Sequence, residues 1–266
     1  KKTSDAEEKA KAAGNKKFNK KKVKLADVQY KIDIPANRYD LLCEEGLSYA
    51  FRIFLDPSIA VNKFVVKDSE YVIKVDGSVE GVRPVVVAAV LKDIDLNTGE
   101  RFQNFLNLQD KLHMNVCRKR KLVSIGTHDL DKIKGPFTYQ AEAKNDISFV
   151  PLNRNWMVDD EEKNLKFGKL KDAEMTAVDL FKVLREANDP CSKFLHLIED
   201  FDKWPVVRDS TNNVLSLPPI LNGEYSKMSK ETKNILIEVT AIDFTKAKIV
   251  LNTMLAMFAG YCKEKN

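Results

Sequence analysis

The chain has 266 residues, 44% of them hydrophobic, with a formal net charge of +5. That content supports a substantial core in one or two domains, and no apolar run approaches the ~18 residues of a membrane span. The modest positive charge suits a protein that meets nucleic acid on one face, and it suits equally a protein with no such partner.

Residues 1–27 are rich in lysine and poor in apolar side chains, most densely at "KKFNKKKVK" (16–24). Such a composition cannot offset its own ordering entropy and reads as a solvated, flexible segment. The second reading is a phosphate-contacting or nuclear-import patch, although Phe18 alone gives bases little to stack on. With no Met at position 1 and no apolar signal core, a piece of a longer chain is expected.

Residues 28–34 alternate like a strand and end at Pro35. "NRYDLLCEEGLSYAFRIF" (37–54) reads as a helix with Asn37 or Asp40 as N-cap and Leu41, Leu42, Leu47, Ala50, Phe51 and Phe54 on one face. Short strands are expected at 61–66 and 70–75, joined as a hairpin. Gly77 and Gly81 flank a boundary, which makes 28–80 a small α/β N-terminal piece and 81–264 a second domain. "RPVVVAAVLKDIDL" (83–96) is nearly continuous in apolar residues, the pattern of a strand buried on both faces. A helix over 101–120 turns Phe102, Phe105, Leu106, Leu112 and Val116 inward. Residues 122–133 form a strand feeding a polar turn. Helices follow at 176–189 and 191–201, strands at 205–208, 213–217 and 234–240, and a last helix at 245–262. Strands and helices mix without strict βαβ alternation, so the expected class is α+β, with layered mixed sheets and packed helices.

The stretch "NILIEVT" (234–240) carries the chemistry. Strand alternation puts Ile235, Ile237 and Val239 on one face and Asn234, Leu236, Glu238 and Thr240 on the other. The second face is either open to water or lines a polar pocket. Upstream, Pro218 and Pro219 lead the chain off the sheet and Asn222-Gly223 offers a reversal, which brings Ser216 and Asn222 toward Glu238 and Thr240. The four cysteines have no C-x-x-C spacing and read as reduced thiols of an intracellular protein. His113, His128 and His196 lack zinc spacing, and no metal site is expected. P-loop, G-x-G-x-x-G and G-x-S-x-G motifs are absent.

Three long segments, "YKIDIPANRYDLLCEEGL" (30–47), "LHMNVCRKRKLVSIGTHDLDKIKGPFTY" (112–139) and "LSLPPILNGEYSKMSKETKNILIEVTAIDFTKAKIVLNTMLAMF" (215–258), resemble the β subunit of cytosolic phenylalanyl-tRNA synthetases of the archaeal and eukaryotic type. The resemblance implies part of the first domain followed by the editing domain, which hydrolyses tyrosine wrongly esterified to tRNA(Phe). It implies a heterotetramer of two α and two β subunits, cytoplasmic, with possible added nuclear presence from the lysine-rich segment. The synthetic site, with its ATP and Mg²⁺, would belong to the whole enzyme, and no cofactor is expected in this region. The alternative function is a noncatalytic RNA-binding or structural scaffold for the α subunit.

Residue by residue, the resemblance points to Glu238 as the group that holds the tyrosine hydroxyl. It points to His128, in "THDLDKI", as part of the same pocket, flanked by Thr127 and Asp129, with Asn115 and Asn222 as further substrate contacts. His128, Ser216 and Thr240 are the candidates for orienting water or ester, and a structural histidine is the other reading of His128. Where the family has "TGTD" this chain has "TAID", so Ala241 replaces a glycine. Arg118, Lys119 and Arg120, in "CRKRK", either complement a helix C-terminus or contact tRNA phosphates, and His113 beside them reads as packing.

Overall fold

The computed structural model describes residues 31–59, 67–154 and 174–263. The lysine-rich segment and the strand expected at 61–66 lie outside them. Residues 31–34, the described end of the first expected strand, are irregular. The chain divides between Asp33 and Ile34, and the described strands and helices belong to the unit that begins at Ile34.

Ten strands are described: β1 (Ile73–Val75), β2 (Val85–Leu91), β3 (Val123–Asp129), β4 (Phe137–Ala143), β5 (Ser148–Phe149), β6 (Met175–Thr176), β7 (Lys203–Arg208), β8 (Val214–Leu217), β9 (Leu221–Asn222) and β10 (Ile235–Ala241). Four α-helices accompany them: α1 (Glu44–Leu55), α2 (Arg101–Met114), α3 (Ala177–Glu186) and α4 (Phe244–Phe258). The order β2-β10-β3 makes an antiparallel three-stranded sheet. The order β1-β4-β7-β8-β9 makes a five-stranded sheet in which only β1–β4 is parallel. β5 and β6 form a separate pair.

Three apolar clusters fix the layers. The first joins α2 and α4 to one face of the three-stranded sheet through Phe105, Leu112, Ile125, Ile237, Val239, Val250 and Phe258. The second lies between the two sheets and contains Leu130, Tyr139, Val207, Leu215 and Leu236. The third covers the far face of the five-stranded sheet with α3 and a 3-10 helix at Ser192–Leu197. The α+β class with layered sheets and packed helices is what the molecule adopts.

Several boundaries differ from expectation, each for a physical reason. The helix expected from residue 37 splits into a 3-10 turn at Tyr39–Leu41 and α1, whose N-cap is Cys43. Asp40 instead pairs with Arg38 at 2.7 Å. Gly46 permits this break, because a Cβ there would fall inside the Asp40 carbonyl, 2.9 Å from its carbon. A backbone atom cannot move aside as a side-chain tip can, so Gly46→Ala should destabilise the fold by about 1–3 kcal/mol, read as a lowered urea midpoint. Phe51, Phe54 and Leu55 on α1 stay exposed beside a concavity of about 560 Å³. β1 pairs in parallel with β4, and the first strand of the hairpin expected through 67–69 lies outside the described residues. β4 itself, whose Phe137, Tyr139 and Ala141 alternate inward, was not among the expected strands.

The apolar run at 83–96 contracts to β2, an edge strand of intermediate burial rather than one covered on both faces. The fully buried centre of that sheet is β10, all seven residues of it. α2 stops at Met114 instead of 120, because Arg118, Lys119 and Arg120 take left-handed φ values of 49°, 53° and 67° and reverse the chain into β3. The expected helix at 191–201 is the 3-10 segment alone. The reversal after β8 is made at Pro218–Ile220, not at Asn222-Gly223, and the chain returns at once to pair Ser216 with Asn222.

Candidate active site between the two sheets

The face of β10 that bears Leu236, Glu238 and Thr240 does not meet water. It packs against the five-stranded sheet, and Glu238 is 1% exposed. Across the ladder Glu238 pairs with Gly126 on β3. A Cβ at Gly126 would lie 2.7 Å from Cγ and 2.9 Å from Cδ of Glu238, so the carboxylate arm occupies the volume that the glycine leaves open. Gly126 shapes the surroundings of Glu238, and the sequence reading did not single it out. Its only trace there was a glycine inside an otherwise regular strand.

Ser216 reaches Glu238 through a β-bulge. Val214 points into the far core, and strict alternation would send Ser216 the same way. The register instead shifts between Val207 and Arg208, which pair with Ser216 and Val214, and Leu215 is the extra residue. The bulge turns Ser216 to the inter-sheet face, where its hydroxyl donates to Glu238 Oε1. Asn222, directly opposite Ser216, donates from Nδ2 to the Thr127 carbonyl (3.1 Å) and so ties β9 to β3.

His128 lies on the same β3 face as Gly126, fully buried, with Nε2 3.7 Å from Glu238 Oε1. Its Nδ1 is 2.7 Å from Ser226 Oγ. Among the described residues neither His128 Nε2 nor Glu238 Oε2 has a hydrogen-bond partner, though both are buried. Two unpartnered polar atoms on neighbouring buried side chains are costly and normally call for a ligand or water.

The other predicted residues separate. Thr127 and Asp129 alternate to the opposite face of β3, where Thr127 meets Gln109 and Asp129 accepts from Thr232 Oγ1 (2.8 Å) and caps the 3-10 turn at Leu130–Lys132. Thr127 thus offers the cluster its backbone carbonyl only. Asn115 is exposed at the C-cap of α2, and no hydrogen bond joins it to the cluster. Thr240 is buried, and its Oγ1 accepts from Arg83 Nε at 2.9 Å. Arg83 also donates from Nη2 to the Thr240 carbonyl (2.8 Å) and toward the Arg120 carbonyl (3.4 Å), and from Nη1 toward the Lys121 carbonyl (3.3 Å). Among the described residues no carboxylate is within ion-pair reach of Arg83, and burial lowers its guanidinium to about 10. Ala241 faces the helix layer, away from Glu238, so the alanine that stands in place of the family's glycine does not touch the cluster.

Arg118 and Lys119 are exposed, whereas the Arg120 guanidinium turns inward. His113 packs beneath them, and its Nε2 accepts from the Ile125 amide (2.9 Å). Burial first, then the charges of Arg120 and Arg83, hold this ring well below the usual imidazole range. The fold therefore keeps His113 neutral, while the unfolded chain takes up a proton below about pH 6.5. Stability should be full above that pH and fall by about 1.4 kcal/mol per unit below it, because the unfolded state then binds the extra proton. His113→Gln, whose amide oxygen accepts the same N–H, should flatten the decline when urea unfolding is compared at about pH 7.5 and 5.5.

Of the two concavities that stand out, one borders α1 and the other lies at Tyr71 and Pro136, and neither opens onto Glu238. The cluster is a closed seam between two sheets. Among the described residues no helix is long and apolar enough to cross a membrane.

Comparison with known proteins agrees with the fold. The Phe-tRNA synthetase beta subunit B1 domain matches residues 4–57 and the B3/4 domain residues 83–262. A phenylalanine–tRNA ligase beta subunit from Dictyostelium discoideum is 48% identical over 241 residues, 90% of this chain and 36% of that protein. The Homo sapiens beta subunit is 45% identical over 240 residues, 90% of this chain and 38% of that protein. One from Arabidopsis thaliana, named cytoplasmic, is 43% identical and is covered to 37%. The chain thus spans little more than a third of the length of these relatives. An N-terminal fragment of the phenylalanyl-tRNA synthetase beta subunit from Pyrococcus horikoshii superposes with a TM-score of 0.72 at 30% identity, covering 85% of this chain and 59% of that one. The chain belongs to the B3/4 domain family, in the form carried by phenylalanine–tRNA ligase beta subunits.

Proposed function

We propose that the seam around Glu238 is an editing site that hydrolyses tyrosine mistakenly esterified to tRNA(Phe), within a cytoplasmic ligase of two α and two β subunits. The observation that carries this reading is the pair of buried, unpartnered atoms Glu238 Oε2 and His128 Nε2 on side chains 3.7 Å apart. A phenol hydroxyl is one donor and one acceptor. Its O–H donates to Oε2. In the tautomer in which the Ser226 hydroxyl turns from the Leu215 carbonyl to donate to His128 Nδ1, the ring proton is on Nε2 and donates to the phenol oxygen. Phenylalanine offers neither bond and leaves both atoms unpaired. A site of this kind can reject the analogue that lacks the hydroxyl by ~10⁴–10⁵.

Hydrolysis adds water to the aminoacyl carbonyl and breaks the bond to the ribose oxygen, releasing tyrosine and the free tRNA terminus. An activated ester needs an oriented water and donors toward the developing oxyanion rather than a strong nucleophile. In this reading His128 and Ser216 shape the hydroxyl-reading end, and Thr240 is a wall group held by Arg83. Residues 81–264 are the editing domain, Arg118 and Lys119 face the tRNA backbone, and ATP and Mg²⁺ serve the synthetic site elsewhere in the enzyme.

The test is deacylation of Tyr-tRNA(Phe) and Phe-tRNA(Phe) by the complete enzyme, with wild-type and Glu238→Ala β subunits. Rapid, tyrosine-selective hydrolysis that depends on Glu238 supports the reading. Equal rates on both esters in the wild type, or selectivity untouched by the substitution, would reject it and leave the scaffold role.

A further inference from the structure

Arg120 sits on a turn of three left-handed residues, yet its side chain leaves the company of exposed Arg118 and Lys119. Left-handed φ is sterically unfavourable for residues with a Cβ, and three in succession persist only where surrounding contacts hold them. Those contacts are specific. Arg120 Nη1 donates to the Ile220 carbonyl at 2.6 Å and toward the Pro219 carbonyl at 3.4 Å. The guanidinium carbon lies 4.7 Å from the centre of the Phe194 ring. Pro219 and Ile220 are the tip of the β8–β9 reversal, and the strands entering and leaving it carry Ser216 and Asn222.

The same turn is gripped from the other side. Arg83 bonds the carbonyls of Arg120 and Lys121 with one edge of its guanidinium and the hydroxyl and carbonyl of Thr240 with the rest. A continuous chain of contacts thus runs from β10, through Arg83 and the 118–121 turn, through Arg120, to the β8–β9 reversal. Asn222 closes the circuit onto β3 at Thr127. Among the described residues neither arginine has a carboxylate within ion-pair distance. Burying a cation against neutral carbonyls alone is an expensive way to stabilise a fold, and an apolar residue would pack there at lower cost. What the arrangement supplies is a fixed distance between two strands of different sheets.

The structure assigns Arg120 as a positioning residue of the Glu238 site: it holds the β8–β9 reversal so that Ser216 meets Glu238 Oε1 and leaves Oε2 free for the ligand. The inference rests on the editing reading above and gives Arg120 a role distinct from phosphate contact. A guanidinium stacked on an aromatic ring is not replaced by an ammonium, although lysine can still reach one carbonyl.

The experiment compares Arg120→Met and Arg120→Lys β subunits in the complete enzyme, with Phe194→Leu as a milder loosening of the stacked guanidinium. Arg120→Met should lower kcat for Tyr-tRNA(Phe) deacylation about tenfold or more, change KM less than twofold and narrow the preference over Phe-tRNA(Phe). Arg120→Lys should restore part of the selectivity, and Phe194→Leu should shift it the same way by a smaller factor. A raised KM with kcat and selectivity unchanged, together with a salt slope of tRNA binding reduced by about one, would overturn the inference in favour of a phosphate contact. Should Arg120→Met fail to fold, unchanged selectivity in Phe194→Leu and Arg120→Lys would overturn it as well. A wild-type enzyme that does not prefer tyrosine would instead remove the editing reading itself. A wild type that prefers tyrosine through Glu238, with selectivity indifferent to residue 120, removes only this inference.

Discussion

Glu238→Ala in the complete enzyme should cut the preference for Tyr-tRNA(Phe) over Phe-tRNA(Phe) from as much as ~10⁴ to about 10² or less. The substitution removes both carboxylate oxygens from a buried site. What remains offers the phenol O–H no carboxylate, and a site without that matched acceptor discriminates weakly between two rings that differ by one hydroxyl. Glu238→Gln keeps the length and one acceptor but removes the charge. Charge-assisted hydrogen bonds are about twice as strong as neutral ones, so its selectivity should fall between wild type and alanine. The loss should appear mainly on the tyrosyl ester, since the phenylalanyl ester never used the carboxylate. An equal loss on both esters would point instead to a collapsed site.

Gly126→Ala should lower tyrosyl-ester hydrolysis by about 10²-fold although it removes no polar group, because its Cβ collides with Glu238 Oε1 and the arm behind it. The new methyl would lie 2.7 Å from Glu238 Cγ, and the arm must swing away from Ser216 and from the seam. A misplacement of about 1 Å at a positioned group is enough for such a loss. Overpacking should also cost about 1–3 kcal/mol in unfolding free energy. Gly77→Ala is the matched control, because a Cβ there meets nothing within 4 Å, and it should leave both activity and stability near wild type. Wild-type activity in Gly126→Ala would mean that the carboxylate tolerates a different pose, and the geometry of the site would have to be redrawn.

Glu238, Thr240 and Ser216 were legible in the sequence and His128 through the family resemblance, whereas Gly126, Ser226 and Arg83 were not. Alternation along 234–240 put Glu238 and Thr240 on one face, and the polar turn after residue 128 marked the neighbouring strand. Alternation alone does not say whether a face meets water or another sheet. That was decided by β8, whose bulge at Leu215 delivers Ser216 against the period. Thr127 and Asp129 are adjacent to His128 in the chain, and the period of two sends both to the opposite face. Arg118, Lys119 and Arg120 read as three equivalent cations, yet the left-handed turn separates two outward side chains from one inward. Strand β4 shows the opposite case. Its alternation of Phe137, Tyr139 and Ala141 was plain in the letters, and the strand went unassigned.

β10 serves two masters through one backbone: odd-numbered side chains anchor the helices, and Leu236, Glu238 and Thr240 face the seam. An insertion or deletion of one residue in the Lys230–Asn234 approach, if carried into the strand, would exchange the two sets, driving the carboxylate into the oily side and an isoleucine into its place. Substrate discrimination and foldability are therefore inherited as one trait along this strand, and the loop before it can vary in composition more freely than in length.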